Sequence, residues 1–135
     1  MGGSRLRLLL DTHVFVWAAD SLDHVRISAA ARTAIEDRRN ETMVSAASAW
    51  EIATKHRLGR LESGGRIVAD WASALAHLRA VDLAVTAEHG LLAGGFPAGH
   101  GDPFDRMLAA QAIVEGARLV TTDSTMAAFG AEVLW

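Results

Sequence analysis

Four acidic residues, Asp11, Glu51, Asp105 and Asp123, each stand at a local break of the kind that turns a side chain toward a cleft. Asp11 ends the apolar run Leu8, Leu9, Leu10, and Asp123 ends Leu119, Val120, Thr121, Thr122. Glu51 interrupts the helix-like stretch Ala49, Trp50, Ile52, Ala53, and Asp105 lies in the opening turn of the segment that begins Asp102, Pro103. Carboxylates drawn into one pocket repel one another and need an offsetting positive charge. A hard divalent cation with oxygen ligands is the usual one. The pattern points to metal-dependent chemistry.

Other site chemistries find little support. His13, His24, His56, His77, His89 and His100 show no pair spaced by four, and there is no cysteine to complete a zinc site. His13 and His100 flank acidic candidates, while His77 reads as a helix-surface residue. Neither a phosphate-binding glycine loop nor a Gly-x-Ser-x-Gly elbow occurs.

Each acid also has a plain structural alternative. Asp11 and Asp123 suit helix N-caps, with Ser124 and Thr125 as rival caps for the second. Glu51 precedes Lys55 by four residues, the favourable order for a helix-surface ion pair. Asp102 before Pro103 is a strong helix start, which leaves Asp105 at the third helical position, inside the positive end of the helix dipole. Asp105 has Ala109 and Ala112 on its face, so small side chains surround it. The joint fit of these acids to one pocket is the stronger evidence.

The elements that must position them alternate. Residues 5–10, 41–44, 81–85, 118–121 and 132–134 read as strands. Helical patterns cover 12–19, 28–39, 45–58, 67–78, 86–93 and 103–115, with a short turn of helix at 124–129. Ser28 and Ser45 or Ser48 are candidate caps, and Gly116 is placed to end its helix. Residues 59–66 and 94–101, rich in glycine, read as connections. This alternation predicts an α/β sandwich, a parallel sheet between helical layers. In such sheets sites form beyond the carboxyl ends of strands, where Asp11 and Asp123 would both stand.

A chain of 135 residues, half of them hydrophobic and 21% charged, fits a single domain, residues 1–135, with a core of its own. The first apolar run meets Asp11 too soon for a membrane span, and the lack of cysteine is compatible with the cytoplasm. Net charge of −3 excludes a uniformly basic nucleic-acid surface but not local patches. Of thirteen basic residues only Lys55 is a lysine, and arginine suits bidentate phosphate contacts.

With those residues in view, the chain resembles the PIN-domain family and, within it, the VapC-type toxins of bacterial toxin–antitoxin pairs. The resemblance runs from Leu8 nearly to the C-terminus. It is carried in order by Leu9-Leu10-Asp11-Thr12-His13, by Ser45 through Ser48 to Trp50-Glu51-Ile52, by Asp102-Pro103-Phe104-Asp105-Arg106, and by Leu119-Val120-Thr121-Thr122-Asp123. It implies a three-layer α/β/α sandwich with a mostly parallel sheet. It also implies a Mg²⁺- or Mn²⁺-dependent ribonuclease that hydrolyses RNA phosphodiester bonds with a metal-activated water.

On this resemblance Asp11, Glu51, Asp105 and Asp123 match the four catalytic, metal-binding acids. Asp102 is an extra carboxylate, Thr121 matches a supporting hydroxyl, and Arg106 is a candidate phosphate contact. The implied partners are RNA, a VapB-like antitoxin that inserts a basic residue near Asp11 and Asp105, and a second copy in a homodimer; no membrane is implied. Of Trp17, Trp50, Trp71 and Trp135, at least two are expected in the core. Two other readings are a non-catalytic binding module on the same fold and a phosphatase or receiver-type phosphoryl-transfer domain. The second is disfavoured because His13 stands where a dehalogenase-type phosphatase needs a second Asp.

Overall fold

The run Leu8, Leu9, Leu10 has no polar alternation, the mark of a strand covered on both faces. All three are fully buried. They belong to β1 (Arg7–Leu10), the middle of a five-stranded sheet. The others are β2 (Glu41–Ser45), β3 (Val81–Leu83), β4 (Arg118–Val120) and β5 (Glu132–Leu134). The order is β3-β2-β1-β4-β5 and every pairing is parallel. The computed structural model describes residues 5–20, 25–97 and 101–135.

Because side chains alternate along a strand, the sheet builds two cores. Leu8 and Leu10 join Val44 and Val120 beneath α1 (Thr12–Ala19), α2 (Ala29–Glu36), α3 (Ala46–Arg57), α4 (Gly64–Ala69) and α5 (Trp71–His77). Leu9 joins Met43 and Leu119 on the opposite face, beneath α7 (Pro103–Glu115) and a 3₁₀ turn (Ser124–Phe129). The helix α6 (Ala87–Gly95) packs on α7. The expected three-layer sandwich is present, and its sheet is wholly parallel. Trp17 and Trp71 pack partly buried against the first core, whereas Trp50 and Trp135 are exposed.

Local end signals explain most boundaries. Ser28 accepts from the Ala31 N–H, Ser45 from that of Ala47, and Asp102 from those of Phe104 and Asp105. Gly116 closes α7 in the left-handed region, with φ of 63°. One expectation fails: residues 67–78 form two helices. Asp70 leaves the helical region and accepts from the N–H and hydroxyl of Ser73, so an internal acid became the cap of α5. The glycine-rich connections also shrink, since Gly64 and Gly65 begin α4 and Gly94 and Gly95 end α6. His24 and His100 lie outside the described residues.

A buried histidine fastens the amino-terminal edge of the sheet. His89 is 1% exposed; its Nδ1 accepts from the Thr86 N–H at 3.0 Å, and Nε2 lies 2.9 Å from Glu115 Oε2. Arg7 then links Glu115 to Glu41, tying α6 and α7 to β1 and β2. Nothing in the histidine spacing singled out this residue.

The two kinds of glycine should respond oppositely to alanine. Gly116→Ala is expected to lose about 1–2 kcal/mol, the cost of a Cβ in the left-handed region. Gly90→Ala, inside α6 with open space around it, should gain roughly 0.5–1 kcal/mol. Urea denaturation of both variants checks the contrast, and equal signs would refute the cap assignment.

Candidate active site at the carboxyl edge of the sheet

In the strand order β3-β2-β1-β4-β5, connections leave β1 and β4 in opposite directions along the sheet. The crevice between their carboxyl ends is the switch point where α/β sheets hold ligands. Asp11 and Thr121 are the residues that follow these two strands. The Asp11 N–H donates to the Val120 carbonyl at 2.9 Å, extending the pairing to the crevice. The Thr121 hydroxyl, wholly buried, donates to Asp11 Oδ2 at 2.6 Å. Asp11 occupies the N-cap position of α1, yet its side chain makes no cap hydrogen bond to that helix. The capping alternative therefore does not account for it.

Glu51 arrives from α3. The hydroxyls of Thr12 and Ser48 lie 2.8 Å apart in the interior, locking the start of α1 to α3. Ser48 and Glu51 are three residues apart and share a helix face, so this contact turns Glu51 toward Asp11. Both carboxylates are buried, Asp11 being 8% exposed and Glu51 5%. Lys55 does pair with Glu51, at 2.6 Å, but the acid lies inside rather than on the helix surface that the spacing implied. Thr12 and Ser48 were not picked out as site residues; the signal available was Ser48 standing one turn before Glu51.

The electrostatics of Asp11 follow from this packing. Burial pushes its carboxyl above the ordinary value, and the negative charge of Glu51 pushes in the same direction. The Thr121 hydroxyl, the charge of exposed His13 and the Thr12 N–H oppose the shift without cancelling it. Two carboxylates held together out of water form a site short of positive charge.

The remaining acids stand as follows. Asp105 is half-buried in the first turn of α7, a helix that packs against β1 and α3. Asp102 is exposed and caps that helix. Asp123 is joined to the centre through its backbone, whose N–H donates to Thr121 Oγ1 at 3.0 Å. Its carboxylate accepts from the Thr125 N–H and hydroxyl, capping the 3₁₀ turn. Arg106 donates to the carbonyls of Ala93, Phe96 and Pro97 and lies over the rings of Phe96 and Phe129. Its guanidinium thus holds the end of α6 against α7. Among the described residues, no three His, Asp or Glu side chains cluster closely enough to hold a metal ion. Asp11 and Glu51 are the two buried acids among the described residues, Lys55 Nζ lies 2.6 Å from Glu51, and carboxylate oxygens are the donors a hard cation takes.

Comparison with known proteins agrees with this architecture. The family model described as PIN domain matches residues 8–132. A Mycobacterium tuberculosis protein named Ribonuclease VapC22 is 39% identical over 119 residues, which cover 86% of each chain. Among solved structures, VapBC2 from Rickettsia felis bound to a DNA fragment from its promoter superposes with a TM-score of 0.63 at 16% identity. That match covers 96% of this chain and 98% of the other. A domain of a functionally unknown Methanocaldococcus jannaschii protein gives 0.59 at 17% identity, covering 96% and 90%. At such identities the two structures speak to the fold alone, whereas the family model and the mycobacterial relative reach further: this chain belongs to the PIN domain family, in its VapC branch.

Proposed function

We propose that the chain is a ribonuclease dependent on Mg²⁺ or Mn²⁺ and the toxic component of a toxin–antitoxin pair. The observation that carries this reading is the buried Asp11–Glu51 pair at the switch point, with the Asp11 carboxyl raised by burial. The mycobacterial relative's name supports RNA as the substrate, and the VapBC2 complex supports a VapB-like partner.

The residues divide the work. Asp11 and Glu51 would hold the cation, with Asp105 and Asp123 completing its surroundings directly or through water. A divalent cation there supplies Lewis acidity, polarising water and offsetting the charge that develops on the phosphate oxygens. Thr121 fixes the Asp11 carboxylate in one orientation, and the Thr12–Ser48 contact does the same for the face bearing Glu51. Lys55 balances Glu51 in the metal-free chain. A cation also reconciles RNA binding with an acidic protein, because the crevice is anionic only when empty. Mg²⁺ is commonly held by one or two carboxylates plus water and substrate phosphate, which fits two buried carboxylates better than a closed cage.

The cognate antitoxin is expected to place an Arg or Lys side chain near Asp11 and Asp105, where it can pair with the carboxylates in place of the metal. Exposed Val25, Leu91 and Val68 offer apolar surface for that partner or for a second copy in a homodimer. A binding-only role is the reading that a metal-dependent cleavage assay would favour if no RNA is cut.

Substitution separates the acids. Asp11→Asn and Asp105→Asn should each remove at least 99% of Mg²⁺-dependent RNA cleavage while circular dichroism stays native, an effect of ~10²-fold or more. Asp102→Asn should keep most activity, since Asn caps about as well as Asp. Full cleavage by a folded Asp11→Asn protein would end the metal-site reading; activity in Asp105→Asn but not Asp102→Asn would reverse their roles.

Stability gives a test independent of turnover. A folded-state pKa above the ordinary 3.8 means that the folded chain holds the Asp11 proton more tightly than the unfolded chain. Its contribution to stability is then greatest below that value and falls as pH rises through the folded pKa. Metal-free Asp11→Asn should therefore melt above the wild type at pH 7, and the gap should close as the pH drops below the ordinary carboxylate value. Mn²⁺ should raise the wild-type Tm and leave that of Asp11→Asn unchanged. Equal responses to Mn²⁺ would place the metal elsewhere.

The partner is tested by co-expressing the small open reading frame beside this gene. Its product should co-purify and suppress cleavage; failure of both would end the antitoxin assignment and leave the nuclease untouched.

A further inference from the structure

An open aromatic groove adjoins the carboxylates and has no part in the chemistry described so far. Trp50 immediately precedes Glu51 on α3, and Phe104 immediately precedes Asp105 on α7. Their rings meet edge to face, with centroids 5.0 Å apart at 67°. With Ala46, Ala47, Val85, Pro103 and Met107 they line a groove of about 330 Å³. Ala47 lies three residues before Trp50 and four before Glu51, so one small side chain sits beneath both. The groove and Glu51 thus share one turn of α3, with Trp50 on its outer side and Glu51 on its buried side. Trp50 is 68% exposed, so packing does not explain an indole there.

The surface presents two chemistries side by side. The carboxylate crevice, once it holds a cation, takes an anion. Among the described residues the groove is lined by no charged side chain, and apart from the indole N–H and the Met107 thioether its walls carry no polar side-chain group. A ligand matching both is anionic at one point and flat and apolar at the next, which is the make-up of a nucleotide. We propose that Trp50 and Phe104 stack a nucleobase of the RNA strand next to the phosphate being cut, an inference that rests on the ribonuclease reading. Such a wall reads the face of the base and not its edge, so it tolerates every base and favours purines for their larger area.

The test uses the full chain and single-stranded RNA octamers, each with one abasic position moved along the strand. Binding is measured by fluorescence anisotropy in the wild-type protein with Ca²⁺ in place of Mg²⁺ to suppress cleavage, and KM and kcat with Mg²⁺. One abasic position should weaken binding by about 5- to 100-fold, the usual range for a base stacked on an aromatic side chain. Trp50→Ala should weaken the intact octamer by a similar factor, through KM more than kcat, and should abolish the sensitivity to that position. Trp50→Phe should restore part of both. An unchanged KM in folded Trp50→Ala, with cleavage intact, overturns the base subsite and leaves the nuclease standing. Conversion of a dimer to a monomer by Trp50→Ala, with abasic sensitivity retained, makes the groove a protein contact and also overturns it. If the wild type neither binds nor cuts any octamer, the ribonuclease reading fails first and the subsite falls with it.

Discussion

The rest of the structure is arranged around one costly placement, the Asp11 carboxylate at the end of the central strand. A charge taken out of water costs several kcal/mol unless it is paired or hydrogen-bonded. Here the compensation is incomplete: one hydroxyl from the neighbouring strand end, the charge of exposed His13 and a nearby backbone N–H, set against burial and a second buried carboxylate. The sheet can impose this because β1 is flanked by β2 and β4 and capped by core on both faces. Asp11 cannot turn to solvent without breaking its hydrogen bond to Thr121 and disturbing the start of α1. Such a placement lowers the protein's stability wherever Asp11 is ionised, a cost the proposed cation would offset.

The two edges of the sheet treat charge differently. At the amino edge the Arg7 guanidinium lies between Glu41 and Glu115, and His89, whose Nδ1 accepts from the Thr86 N–H, meets Glu115 through Nε2. Those contacts tie layers together, and the half-exposed pairs among them contribute little energy individually. At the carboxyl edge two carboxylates are buried with Lys55 paired to one of them, and hydroxyls hold Asp11 and the face that bears Glu51. Ser48 and Thr12 are small and buried, and their mutual hydrogen bond leaves no polar group unsatisfied while setting the rotation of α3. The same rotation sends Glu51 inward and leaves Trp50 outside. One short hydrogen bond thus governs the carboxylate pair and the aromatic wall beside it.

How much was legible beforehand follows from which interactions are local. The apolar run of β1, the caps at Ser28 and Asp102 and the glycine stop at Gly116 depend on residues within a turn of one another, and the chain alone determined them. Between Ser45 and Ser48 as cap of α3, the folded chain uses Ser45. The acids could be singled out for a similar reason: Asp11 and Asp123 follow strands whose hydrophobic pattern is unbroken, so their place at one edge follows from parallel topology. Asp70 shows the limit of such reasoning. Apolar spacing ran straight through it, while its side chain could also serve as a cap, and the packed arrangement of α4 and α5 selected the break.

Long-range contacts were settled by the tertiary structure. Whether Lys55 and Glu51 formed a surface pair or a buried one depended on the seating of α3, which Thr12 fixes from 36 residues away. The half-buried setting of Asp105 needed the docking of α7 on β1 and α3, whereas Asp102 as the cap was already legible. Arg106 was drawn to the carbonyl ends of α6, a destination set by how two helices meet. The sequence by itself determined the family and the strand-and-helix order, because those rest on ordered motifs and local periodicity. Only the packed structure decided which carboxylates share a water-poor crevice, because burial and mutual charge depend on distances that no spacing along the chain records.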